Sequence, residues 1–155
     1  MGIMNMNLIF TCLIIAQFIV VAAHDWIDIP GIVCGSQVQA AIGRRKLAWA
    51  TAINCLFPGY AVALAIRFFD APKPDYALRY WLMYTGITMG SAFIMWWVPY
   101  LFGASAKHRE LYGKMYAGTR FILPARRGDR GPNLLHLCFH ALFLSTFILA
   151  LMQIR

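Results

Sequence analysis

Four stretches of this chain run almost without charge, and polar, basic or proline-rich segments separate them. They cover residues 3–23, 47–66, 80–103 and 134–154. At about 1.5 Å of rise per residue, about 20 apolar residues cross the ~30 Å hydrocarbon core of a bilayer. The apolar residues fall in long uninterrupted blocks, which is the pattern of membrane spans and not of a large soluble core. The predicted architecture is an all-α integral membrane protein, one domain of four transmembrane helices over residues 1–155.

Each block has its own punctuation. The first ends in Val21-Ala22-Ala23, which resembles a signal-peptide cleavage site, but no Lys or Arg precedes the apolar run. A retained helix is therefore expected. The second contains Asn54 and a Pro58-Gly59 pair that should kink it. "RFFDAPKPDYALR" is a connector whose two prolines favour an extended turn. The third carries Trp96, Trp97 and Tyr100 as an interfacial aromatic belt, with Pro99 among them to kink or end the helix. Asn133 is placed to cap the fourth, and Arg155 to anchor its end.

The loops decide orientation. Residues 24–46 and 104–133 share one side of a four-span bundle and hold ten of the 14 Lys and Arg residues, from Arg44, Arg45 and Lys46 to Arg126, Arg127 and Arg130. Arg67, Lys73, Arg79 and Arg155 fall on the other side. Positive residues stay inside, so 24–46 and 104–133 are expected in the cytoplasm and both termini outside it, in a membrane of bacterial inner-membrane type. Within "SAKHRELYGKMYAGTRFIL", Leu111, Tyr112, Met115 and Tyr116 recur at helical spacing among Lys107, Arg109, Lys114 and Arg120. That suits a short amphipathic helix in the headgroup plane, although Gly113 and Gly118 weaken it. Arg126, Arg127 and Arg130 either hold a lipid phosphate or serve only as topology determinants.

Composition agrees with this picture. The chain is 61% hydrophobic and only 13% charged, with mean hydropathy +0.61 and net charge +8. In a soluble protein that charge would suggest nucleic acid. Beside apolar spans it reads as topology and attraction to anionic lipids, so nucleic acid is not expected as a partner. Cys12, Cys34, Cys55 and Cys138 form no CxxC pair and are read as structural thiols.

The candidate chemistry lies where polar residues enter the spans. His136 and His140 sit at i and i+4 on one helix face and can converge on one ion. By rise per residue, Asn54 is roughly 10 Å and His140 roughly 9 Å inside the basic side. His24, Asp25 and Asp28 begin there too, so one polar cluster can assemble. With His24, Asp25 or Asp28 as a third ligand, His136 and His140 would make an open metal site; His140 with His24 would be the haem alternative. Proton relay is a third reading, and packing or hydrogen bonding a fourth. No HExxH motif is present to favour the metal. Gly86 and Gly90 form a G-x-x-x-G pair for close helix packing, and Ala141 with Ser145 a similar small face.

No P-loop, GxGxxG, GxSxG or internal repeat stands out. No acidic or basic residue enters a hydrophobic core, which argues against a transporter acting alone. Two function classes remain. One is an accessory or scaffolding subunit that packs with other membrane proteins in lipid. The other is a small metal- or haem-dependent enzyme or redox module acting on a lipid-soluble substrate.

Overall fold

A computed structural model describes residues 3–153. Ile154 and the expected anchor Arg155 lie outside the described residues. The helices are α1 (Ile3–Ala23), α2 (Gly35–Ile42), α3 (Arg44–Arg67), α4 (Asp75–Ala92), α5 (Val98–Phe102), α6 (Ala106–Tyr116) and α7 (Leu134–Met152). A π-helical turn, Phe93–Trp97, joins α4 to α5, and a two-residue hairpin pairs β1 (Asp28–Ile29) with β2 (Val33–Cys34).

Met6–Ala23, Arg44–Arg67 and Leu134–Met152 are each long and apolar enough to cross a membrane. Asp75–Phe102 passes the same test together with Ala106–Tyr116, from which a 113° bend separates it. The chain therefore has three to four helices able to span a bilayer, in keeping with an all-α membrane protein. The bend falls at Gly103, whose φ of 106° is open to glycine and costly for a side chain.

Element boundaries follow the polar residues more loosely than hydropathy suggested. α3 begins at Arg44, three residues before the apolar run, because the long stems of Arg44, Arg45 and Lys46 can remain helical while their charges reach water. The third long helix begins at Asp75, five residues early, with Pro74 before it and Asp75 complementing the positive end of the helix.

α1 packs between α3 and α7, and α4 packs on α7. The core between them holds Phe10, Ile14, Ala61, Ala77, Trp81 and Phe143. Trp81 is fully buried, meets Phe10 edge-on at 4.9 Å, and donates its indole N–H to the Ala61 carbonyl at 3.1 Å. One turn away along α3, the Tyr80 hydroxyl donates to the Phe57 carbonyl at 2.9 Å. These two bonds tie α3 to α4 at the end of the bundle away from the basic loops. Some buried polar groups pair as low dielectric demands: Gln17 Nε2 donates to Thr146 Oγ1 at 2.6 Å, and Thr85 Oγ1 to the Trp81 carbonyl at 2.7 Å. Gln17 Oε1 and the Tyr84 hydroxyl are buried without a partner among the described residues.

The basic end is more ordered than two loops would be. The hairpin and α2 form a small cap with α6, where Val38 of α2, Leu47 of α3 and Tyr116 of α6 make one buried cluster. Arg120 N–H donates to the Gly31 carbonyl and Leu134 N–H to the Arg120 carbonyl, at 2.8 and 2.9 Å, stitching both segments to the start of α7. Close approach explains Gly35 and Gly118: a Cβ would lie 2.6 Å from the Ile27 carbonyl oxygen at the first and 2.7 Å from Cys34 Sγ at the second. α6 forms as the periodicity predicts, capped by Ser105 Oγ accepting from His108 N–H at 3.2 Å, and turns Tyr116 and Tyr112 toward Trp96. The cysteines are free thiols.

Candidate functional site: a histidine-lined cleft

Away from the Tyr80 and Trp81 bonds, α3 and α4 part. A cleft of about 410 Å³ opens between them toward the basic end, within the roughly 300–1,000 Å³ range of small-molecule sites. Its mouth is formed by exposed residues of the two helices, among them Ile53, Asn54, Ile87, Ser91 and Met95. Its floor is the buried face of α7, His136, Phe139 and Phe143, with His140 beside them and His24 at the end of α1. From Met83 to Trp96 the wall runs about 20 Å at helical rise. Toward the middle of the bundle the walls are apolar apart from Tyr84, whose buried hydroxyl has no partner among the described residues, and the histidines gather toward the basic end.

Two prolines shape the walls. Pro58 lies inside α3 and withdraws the N–H that would bond the Asn54 carbonyl. Pro99 follows the π turn and likewise deprives the Met95 carbonyl of its α-helical partner; the ladder adjusts by one residue, with Val98 N–H donating to the Phe93 carbonyl. The wider turn places two consecutive tryptophans against α7. Trp96 lies on the His136 ring with centroids 3.8 Å apart, and Trp97 Nε1–H donates to His140 Nδ1 at 3.1 Å.

Hydrogen bonding fixes which nitrogen of each ring carries the proton. Asn133 caps α7: its Oδ1 accepts from His136 N–H at 3.0 Å, and its Nδ2 donates to Thr119 Oγ1 at 3.2 Å. Asn133 Oδ1 also lies 2.7 Å from His136 Nδ1, so Nδ1 must be the protonated nitrogen. The neutral ring then offers Nε2 as an acceptor. At His140 the logic reverses, because an indole N–H only donates. Its Nδ1 accepts, and its Nε2 bears the hydrogen. One helical turn apart, the two rings present opposite faces: His136 an acceptor, His140 a donor. Among the described residues no hydrogen bond engages Nε2 of either ring.

His24 extends the cluster toward the cap. Its Nδ1–H donates to the Val20 carbonyl at 2.8 Å, its Nε2 lies 3.3 Å from Asp25 Oδ1, and its ring centroid is 6.0 Å from that of His136. A lone pair and a carboxylate facing each other require a shared proton, on His24 or on Asp25. Burial raises the Asp25 carboxyl above its ordinary range, and the neighbouring His24 charge partly offsets this.

His24, His136 and His140 thus line one cleft, while Asp25 contacts, of these three, His24 alone. Asp28 does not join them: its Oδ1 accepts from Ser36 N–H and Oγ in the hairpin, each at 3.0 Å. Asn54 lies on the opposite wall of the cleft. A metal-ligating histidine normally donates its second N–H to an acceptor. His136 has that arrangement through Asn133, whereas Trp97 gives His140 the reverse. Among the described residues, no three His, Cys, Asp or Glu side chains are grouped to hold a metal ion.

Sequence reasoning placed Trp96 and Trp97 in an aromatic belt and overlooked them as partners of the histidines. The signal was available in "WWVP", a double tryptophan one residue before a helix-breaking proline. Of the three candidate lipid-binding arginines, Arg130 lies over the Phe121 ring at 5.0 Å and lines a second cavity of about 360 Å³ with His108, Arg109 and Tyr112. Arg126 and Arg127 sit in a tight turn closed by two 2.9 Å backbone bonds between Arg126 and Asp129. A Cβ at Gly86 would lie 3.7 Å from the Phe147 ring, while Gly90 has open space where a Cβ would be.

No protein-family model, curated protein or solved structure matches this chain.

Proposed function

We propose that this protein is a four-span membrane protein that takes a lipid-soluble molecule from the bilayer into the cleft between α3 and α4. The observation that carries this reading is the cleft itself: exposed apolar residues form its mouth and unpaired histidine nitrogens its floor. Asp75–Phe102 is the third span in this reading, with α6 in the headgroup plane. The basic loops face the cytoplasm and both termini lie outside it, in a membrane of bacterial inner-membrane type. His24 and Asp25 then stand at the cytoplasmic end of the cleft, where they can exchange protons with water. The test is extraction of lipid-soluble molecules from purified wild type and from Ser91→Trp, which fills the mouth. A near-stoichiometric species present only in wild type is expected; identical extracts would overturn the reading.

A second reading, an accessory subunit of a larger membrane complex, is favoured by α4. Gly90 lies open beside exposed Ile87 and Ile94, a smooth face suited to another helix. Native mass spectrometry of Gly90→Leu separates the two: loss of a stoichiometric protein partner supports this reading, and unchanged ligand with no partner supports the first. The metal or haem enzyme is the third reading, and elemental analysis decides it. Near-stoichiometric metal that is lost in His136→Ala/His140→Ala would establish it.

A further inference from the structure

The tautomers of the two α7 histidines restrict what the cleft can hold. His136 Nε2 lacks a hydrogen and needs a donor; His140 Nε2 carries one and needs an acceptor. Both rings line the same cleft, one helical turn of about 5.4 Å apart. A ligand head with only acceptors, such as an ester, would satisfy His140 and set a lone pair against His136. A purely donating head would fail at His140. In an environment this apolar, each mismatch leaves a polar atom unpaired, which weakens binding about tenfold or more.

Resting on the cleft reading above, we propose that the cleft selects a long-chain amphiphile whose head joins an O–H donor to an oxygen acceptor, the chemistry of a carboxylic acid or an alcohol. The hydroxyl donates to His136 Nε2 and the oxygen acceptor receives His140 Nε2–H. The acyl chain lies along the apolar wall toward Phe143 and Met83, between α3 and α4. Trp97 makes the selection by holding His140 in the donating tautomer, and Asn133 by holding His136 in the accepting one.

The probes are palmitic acid, hexadecanol and methyl palmitate, titrated into the detergent-purified full chain labelled with ¹⁵N-histidine. Before any probe is added, nitrogen shifts should show Nδ1–H at His136 and Nε2–H at His140; the same tautomer at both would overturn the proposal. On titration, the acid or the alcohol should perturb the His140 signals at concentrations at least tenfold below the ester, and the stronger of the two identifies the head group. His140→Phe should remove that preference while leaving the His136 tautomer intact. If the ester binds as tightly and Ser91→Trp blocks it, the cleft stands and the head-group selection falls. If none of the three binds saturably, the cleft reading falls, and the selection with it.

Discussion

The same two helices, α3 and α4, are joined at one end and parted at the other. At the joined end, Ala61 and Ala77 are small enough for the backbones to approach, and Trp81 and Tyr80 reach across to α3 carbonyls. At the parted end, Ile53, Asn54, Ile87 and Ser91 make no such bridge; Pro58, between the two bridged carbonyls, leaves that of Asn54 without its helical donor, and Pro99 does the same to Met95. Side-chain size and carbonyl availability therefore decide whether two apolar helices close on each other. In a membrane this matters more than hydrophobicity, because lipid tails compete on equal terms with apolar side chains. The open half is consequently the half in which polar groups can be presented to a ligand.

The largest expected effect comes from opening the joined half. Trp81→Ala removes a fully buried indole together with its bond to Ala61, and should cost about 3–5 kcal/mol. Thermal unfolding in detergent would read this as a large drop in midpoint; a small one would mean that α3 and α4 are held elsewhere.

Next is Pro99→Ala, which restores the missing donor and should let the π turn revert to α-helix. Stability should be unchanged or rise by at most about 3 kcal/mol, the cost of an interior proline. Trp97 should then leave His140, which the indole ¹⁵N–H signal would show. A Trp97 signal unmoved by the substitution would break the link between the proline and the histidine.

Asn133→Ala is expected to lose about 1 kcal/mol, the usual worth of an N-cap, and to release His136 Nδ1 from its partner. Both changes are measurable on one sample, by thermal unfolding and by histidine ¹⁵N shifts.

The smallest effects are those of pH on Asp129 and Asp25, two of the four carboxylates of the basic end. Asp129 accepts from Arg109 Nε at 2.6 Å and Ala104 N–H at 3.0 Å, and these bonds hold its carboxyl below the ordinary range. Its stabilising contribution is complete above the unfolded carboxylate pKa of about 3.9 and is lost as pH falls through the lower folded value. Asp25 is raised by burial, so its sign is opposite. Its preference for the neutral form favours the fold fully below about 3.9 and disappears as pH rises through the raised folded value. Acid should therefore loosen residues 103–131 in hydrogen exchange while leaving residues 24–28 protected. At neutral pH, Asp25→Asn should raise the unfolding midpoint slightly, by about 0.5 kcal/mol or less. Parallel behaviour of the two segments would contradict these opposite signs.

Much of this molecule is legible from residue order. The apolar blocks announce the membrane helices, Asn133 announces the start of α7, and the spacing of Tyr112 and Tyr116 announces α6. The hairpin and α2 were hidden inside a stretch read as a loop, because Val38 and Leu47 become a core only when Tyr116 arrives from about 70–80 residues away. The candidate site was half visible. His136 and His140 stand out as polar residues in an apolar helix, but their proton positions depend on Asn133 and on Trp97, the latter 43 residues distant along the chain.

By itself the sequence determined that the chain is helical and apolar enough for a membrane, which end is basic, and that two histidines share one helix face. These are local properties, set by hydropathy, charge and a 3.6-residue period. Only the tertiary structure decided that α3 and α4 separate, that the tryptophans meet the histidines, and that the two rings present opposite hydrogen-bonding faces. A histidine tautomer is decided by whatever touches its second nitrogen, and at His140 that contact exists only once the π turn and α7 have packed together.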